Sequence, residues 1–105
     1  MQLIFAKLMS VKITCINKDN GHHYDPHLAI TDLGWINEQT NEAGKSTRIE
    51  MVEFIERGGK AYVKDFLGKI AFLVVRTSYF GNKFVKTVAD NRETNNLLEL
   101  NECHL

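Results

Sequence analysis

One stretch of the chain carries the full set of signals for a helix, and most of the remainder alternates at the period of a β-strand. Thr47-Arg48-Ile49-Glu50 fits a capping box, in which the threonine hydroxyl accepts from an orphan amide and the glutamate reaches back. Ile49, Val52 and Ile55, flanked by Met51 and Phe54, then fall on one broad face, with Glu50, Glu53 and Arg57 turned to water. Glu53 precedes Arg57 by one turn, a spacing that favours an ion pair. Gly58-Gly59 ends the pattern, because glycine accepts the left-handed terminal position. A chain with one helix and many strands has to pack that helix on a sheet.

The strands are read from alternation. Residues 11–16 place Val11, Ile13 and Cys15 on one face and Lys12 and Thr14 on the other. A polar loop over residues 17–26 follows, and residues 28–36 form a second strand with Gly34 as its bend or bulge. These two strands are expected to form a long-looped antiparallel pair. Residues 37–45 are a second polar connection, leading into the helix. Beyond it, residues 60–66, 69–79 and 83–89 are strands, the last two joined by a short turn at Gly81-Asn82. Residues 70–75 are an unbroken apolar run, which implies a central strand covered on both faces. The expected fold is α+β: a mostly antiparallel sheet of about five strands, order β-β-α-β-β-β, with one helix on one face.

With 105 residues the chain suits a single domain, assigned to residues 11–105 behind an extension over residues 1–10. Its 44% hydrophobic and 25% charged residues exclude intrinsic disorder. The apolar run of six falls far short of the ~20 residues of a membrane helix, so no membrane association is expected. The first nine residues lack the basic start and cleavage site of a secretory leader. The expected compartment is therefore the cytoplasm, where Cys15 and Cys103 would stay reduced. Two cysteines at opposite ends of a chain do not make a disulfide framework. The polar tail from residue 90 onwards carries Leu97, Leu98 and Leu100, which are expected to dock on the core.

No phosphate-binding glycine loop, nucleophile elbow, His-Glu-x-x-His or Cys-x-x-Cys is present. The chain is accordingly read as a non-enzyme with no assigned catalytic residue. Glu50, Glu53 and Glu56 are a solvated helix face. Two constellations remain. Cys15, His22, His23, His27, Cys103 and His104 are residue types that bind zinc, although Pro26 prevents His23 and His27 from sharing a helical face. Zinc is thus the one cofactor the composition admits, beside the plainer reading of a buried cysteine and solvated histidines. Between residues 57 and 86 there are seven basic side chains and one acidic, interleaved with aromatics. Lys60, Tyr62, Lys64, Arg76 and Lys86 are the candidate nucleic-acid contacts there, against the alternative of a solvated sheet surface that resists edge pairing.

Several segments recur in a recognisable order: Ile13-Thr14-Cys15-Ile16, His27-Leu28-Ala29-Ile30-Thr31, Ile55-Glu56-Arg57-Gly58, Ala61-Tyr62-Val63, Lys86-Thr87-Val88-Ala89-Asp90, and Asn96-Leu97-Leu98-Glu99-Leu100 with Cys103. In this order the chain resembles DUF3892, a small, mainly bacterial family of domains of unknown function. The resemblance spans residues 11–103 and places Met9 at the natural start. It implies no activity. It does mark Cys15, His27, Thr87, Asp90 and Cys103 as positions where family pattern and reactive side chains coincide, ahead of His22 and His23.

The working expectation is a binding or interaction module that meets another protein or a second copy of itself across the sheet. Nucleic-acid binding and a small zinc site are the alternatives. Docking of the leucines should carry Cys103 back to the first two strands, so that Cys15, His27 and Cys103 lie close together.

Overall fold

A computed structural model describes residues 9–23, 25–89 and 92–104. Within them the chain forms one mixed sheet of seven strands and a single α-helix. The strands are β1 (Ser10–Lys18), β2 (Ile30–Ile36), β3 (Ala43–Thr47), β4 (Lys60–Lys64), β5 (Ile70–Thr77), β6 (Lys83–Ala89) and β7 (Arg92–Thr94). Helix α1 (Arg48–Glu56) separates β3 from β4, and 3-10 turns occupy Pro26–Ala29 and Asn96–Glu99. The spatial order is β3-β2-β1-β4-β5-β6-β7, antiparallel throughout except for β1 beside β4, which run parallel. The α+β class holds, but the expected five-strand count and order do not. β3 and β7 were hidden by their polar, edge-strand composition, which lacks an alternating apolar signal.

Helix α1 forms as its sequence dictates. The Thr47 hydroxyl accepts from the Glu50 amide at 3.1 Å, and a Glu50 carboxylate oxygen accepts from the Thr47 amide at 2.8 Å. Gly58 takes φ 101° just past the helix end, where a side chain would be strained. Met51, Val52 and Phe54 are buried against β2 to β6, whereas Ile49 lies half outside. The core beneath them is built from Val11, Ile13, Ile16, Leu33, Trp35, Val63, Leu73 and Val85. Leu97 joins that core fully buried, with Leu98 and Leu100 packed at its edge, so the tail docks as expected.

Two local departures matter for the site. A register shift between Ile13 and Cys15 leaves Thr14 as an extra residue in β1. The bulge keeps Ile16 on the core side opposite Leu33 and turns Cys15 to the other side, opposite Gly34. The inward placement of Cys15 is therefore corrected, and the bulge lies across from Gly34 rather than at it. Second, β5 is central yet covered on one face only. Phe72 on its outer face is 47% exposed, because the one helix covers the other side.

Candidate functional site

Beyond Lys12 the edge of β1 is no longer held by β4. A strap formed by residues 100–104 takes that place. The Ile16 amide donates to the Asn101 carbonyl at 3.0 Å, and the Cys103 amide donates to the Ile16 carbonyl at 3.2 Å. This parallel bridge brings the Cys15 and Cys103 Cα atoms to 5.0 Å, and their sulfurs form a disulfide. The expectation of two reduced thiols is overturned. A separation of 88 residues concealed a pairing that the backbone bonds of the strap create. Gly34 makes room for it, since a Cβ there would collide with the Cys15 sulfur and stand 3.2 Å from that of Cys103.

A groove of about 840 Å³ runs beside the clasp, between the strap and the β1–β2 loop. Ile16, Pro26, Leu98 and Leu100 give it an apolar lining, and Asp19, His22, His23 and Glu102 line it with polar groups. The volume falls within the range of ligand pockets, about 300–1,000 Å³. Asp19 is held below the usual carboxylate range by the Gly21 amide and then by His23, whose ring nitrogen lies 2.9 Å away. His22 and His23, ranked behind His27 in the sequence, are the histidines that line this groove.

His27 lies elsewhere. Asp25 caps the Pro26–Ala29 turn by accepting from the His27 amide at 2.9 Å, and the same oxygen accepts from the ring Nδ1 at 2.8 Å. The ring is 1% exposed and packs 6.2 Å from that of Phe84, while its Nε2 has no hydrogen-bond partner among the described residues. Lys86, two residues along β6 from Phe84, approaches Asp25 at 3.9 Å. Burial pulls the Asp25 carboxyl upward, but the two bonds from His27, together with nearby positive charge including Lys86, hold Asp25 below its ordinary value. Thr87 is also fully buried, and its hydroxyl lies 2.7 Å from that of Thr94, tying β6 to β7. Asp90 lies outside the described residues. The structure thus joins Cys15 to Cys103 and binds His27 to Asp25 instead. Among the described residues no group of three or more His, Cys, Asp or Glu side chains is placed to hold a metal ion.

The basic face is real but paired. Lys60, Tyr62 and Lys64 alternate with the buried Ala61 and Val63, and so share the outer side of β4. Glu38, on the turn after β2, accepts from the Tyr62 hydroxyl and from Lys64 at 3.0 Å, with Lys12 at 3.8 Å. Those contacts, Tyr62 first, hold the Glu38 carboxyl below its ordinary value. Burial, reinforced by Glu38, pushes the Tyr62 phenol up to about 12. Arg76 bonds to Glu93 at 2.9 Å. Exposed apolar side chains accompany these pairs. Phe72 stacks edge-on against Tyr62 at 6.1 Å, Ile70 shares its face, and Phe66 and Leu67 stand out at the β4–β5 turn, 96% and 79% exposed. No single-residue motif marked these last two. The signal was two large apolar residues in a turn fixed by the Asp65 side chain, which accepts from the Leu67 and Lys69 amides.

A sequence model described as a protein of unknown function, DUF3892, matches residues 12–101. The chain belongs to the DUF3892 family. No curated protein and no solved structure matches it. In this DUF3892 domain the matched region includes all seven strands in whole or part, the helix and the Leu97 anchor, and stops within the strap. Among the described residues no helix of the DUF3892 domain is long and apolar enough to cross a membrane.

Proposed function

We propose that this domain is a non-enzymatic protein-binding module whose contact surface is the outer face of β4 and β5. The observation that carries the reading is the exposed apolar set Phe66, Leu67, Ile70 and Phe72, rimmed by the Lys64–Glu38 and Arg76–Glu93 pairs. Contiguous exposed apolar surface with a polar rim is the usual mark of a protein contact. A module of this kind meets a partner protein or a second copy of itself. The burial of His27 and the Thr87–Thr94 contact support a binding role, since both reactive side chains are tied into packing.

The same ion pairs weigh against nucleic acid as the partner. Lys64, Arg76 and Lys86 each stand beside a carboxylate, which cancels much of the field that phosphate would follow. A zinc site through Cys15 and Cys103 would need the thiolates that the disulfide consumes.

The deciding experiment compares the wild-type chain with Phe72→Ser and with a Phe66→Ser/Leu67→Ser double variant. Light scattering reports self-association, and affinity capture with mass spectrometry reports partners. Association that both variants abolish, with circular dichroism unchanged, supports the reading. Binding unaffected by either variant, or a strict monomer without patch-dependent partners, refutes it. A salt-sensitive shift of single-stranded DNA or RNA, weakened by charge reversal at Lys64, would transfer the surface to nucleic acid.

A further inference from the structure

The two sulfurs of the clasp are not equivalent. Cys15 is half-buried on the outward side of the bulge, whereas Cys103, within the strap, is 7% exposed. Leu100 packs at the core's edge, with its amide donating to the Leu97 carbonyl at 3.3 Å, but beyond it and the disulfide the strap has few contacts among the described residues. Two backbone hydrogen bonds tie it to Ile16, and a third contact runs from the Asn17 side-chain amide to the Cys103 carbonyl at 3.3 Å. Upstream the situation is different, because Leu97 is fully buried in the main core. The chain therefore has a firm anchor from Leu97 to Leu100 and a lightly bound segment after it, with one covalent tie at the far end. That segment, with Leu100, also forms one wall of the groove, through Asn101 and Glu102.

We propose that Cys15 is a site of thiol–disulfide exchange, and that reduction of the Cys15–Cys103 bond by a dithiol releases the strap and opens the groove. A thiolate of the dithiol attacks the sulfur of Cys15, the more exposed of the two residues, and Cys103 leaves as a thiolate that takes up a proton. The second thiol of the reductant then attacks its own mixed-disulfide sulfur, and Cys15 leaves. The dithiol becomes a disulfide, and its two electrons and two protons end on Cys15 and Cys103. The strap, without its tie, exchanges its bonds to Ile16 for water, while Leu97 stops the opening from spreading into the core. Oxidation by a disulfide of higher potential restores the clasp.

The test is hydrogen exchange on the full chain, oxidised and then reduced with dithiothreitol, read by mass spectrometry and by amide resonances. Acceleration of at least about tenfold at Ile16 and across residues 101–104, with the Leu97 amide and the β5 amides unchanged, supports the proposal. Brief treatment with limiting dithiothreitol, quenched with N-ethylmaleimide to alkylate free thiols, should leave the mixed disulfide on Cys15 and the alkyl group on Cys103, not the reverse. Three results overturn it. These are unchanged exchange after reduction, global loss of protection (a purely structural bond), and two free thiols in the fully air-oxidised chain. A Cys15→Ser/Cys103→Ser variant provides a second reading free of reductant, and it should exchange like the reduced protein.

Discussion

Gly34 stands directly across the β1–β2 ladder from Cys15, and the space its side chain would need is occupied by the Cys15–Cys103 disulfide. Alanine at this position cannot coexist with the bond as it is placed. Gly34→Ala should lower stability by about 1–3 kcal/mol, the usual cost of overpacking. Thiol titration of the native variant should detect free thiols that the wild type lacks. A variant with wild-type stability and no free thiol would show that the strap shifts to make room.

Leu97 should behave as a core residue despite its place in a polar tail. It is fully buried and packed with the sheet residues beneath α1. Leu97→Ala should cost about 2–5 kcal/mol in urea unfolding, the range for buried leucine truncations. Leu98→Ala, at the margin of the same cluster, should cost clearly less.

Acid should weaken the fold partly through Asp25. Its carboxyl is held below the ordinary value of 3.8 by His27, against the upward pull of burial. A group depressed in the folded state stabilises above its unfolded pKa, and the contribution is lost as pH falls through the folded value. Unfolding free energy should therefore decline as pH drops below the ordinary 3.8. Asp25→Asn should be less stable at neutral pH and flatter along that acid limb, while Asp19 and Glu38, depressed likewise, keep some slope.

At the alkaline end the indicator is Tyr62. Burial first, and Glu38 second, push its phenol from 10.0 to about 12. A raised phenol contributes stability below 10.0 that fades as pH climbs towards 12. Ultraviolet titration should show Tyr62 ionising late, and Glu38→Gln should move it down. It should stay above 10.0 even then, because burial is the larger cause.

Local signals were readable in the chain and relational ones were not. The capping box at Thr47 and Glu50, the stop at Gly58 and the alternation through Ala61 and Val63 depend on neighbours in sequence, and each appears where the residues require it. The bulge at Thr14 defeats the same logic. Residues 11–15 alternate cleanly, and the one sign that Cys15 will face away from Ile13 is apolar Ile16, out of phase with that alternation. β3 and β7 are short edge strands with almost no apolar side chains, and strand propensity is silent there. The parallel contact of β1 with β4 and the disulfide both depend on where distant segments come to rest. Likewise, the charge count between residues 57 and 86 was correct, but the carboxylates that neutralise it come from Asp25, Glu38 and Glu93, outside that window.

The strap completes β1 from far down the chain, and this imposes an order on synthesis. Cys15 leaves the ribosome 88 residues ahead of Cys103. At elongation rates of about 5–20 residues per second, its thiol waits roughly 4–18 s for a partner. During that interval the edge of β1 beyond Lys12 has no neighbour, and the nascent chain exposes unpaired strand beside a free thiol. The N-terminal half of the chain thus carries an open strand edge and a free thiol well before the segment that closes them exists.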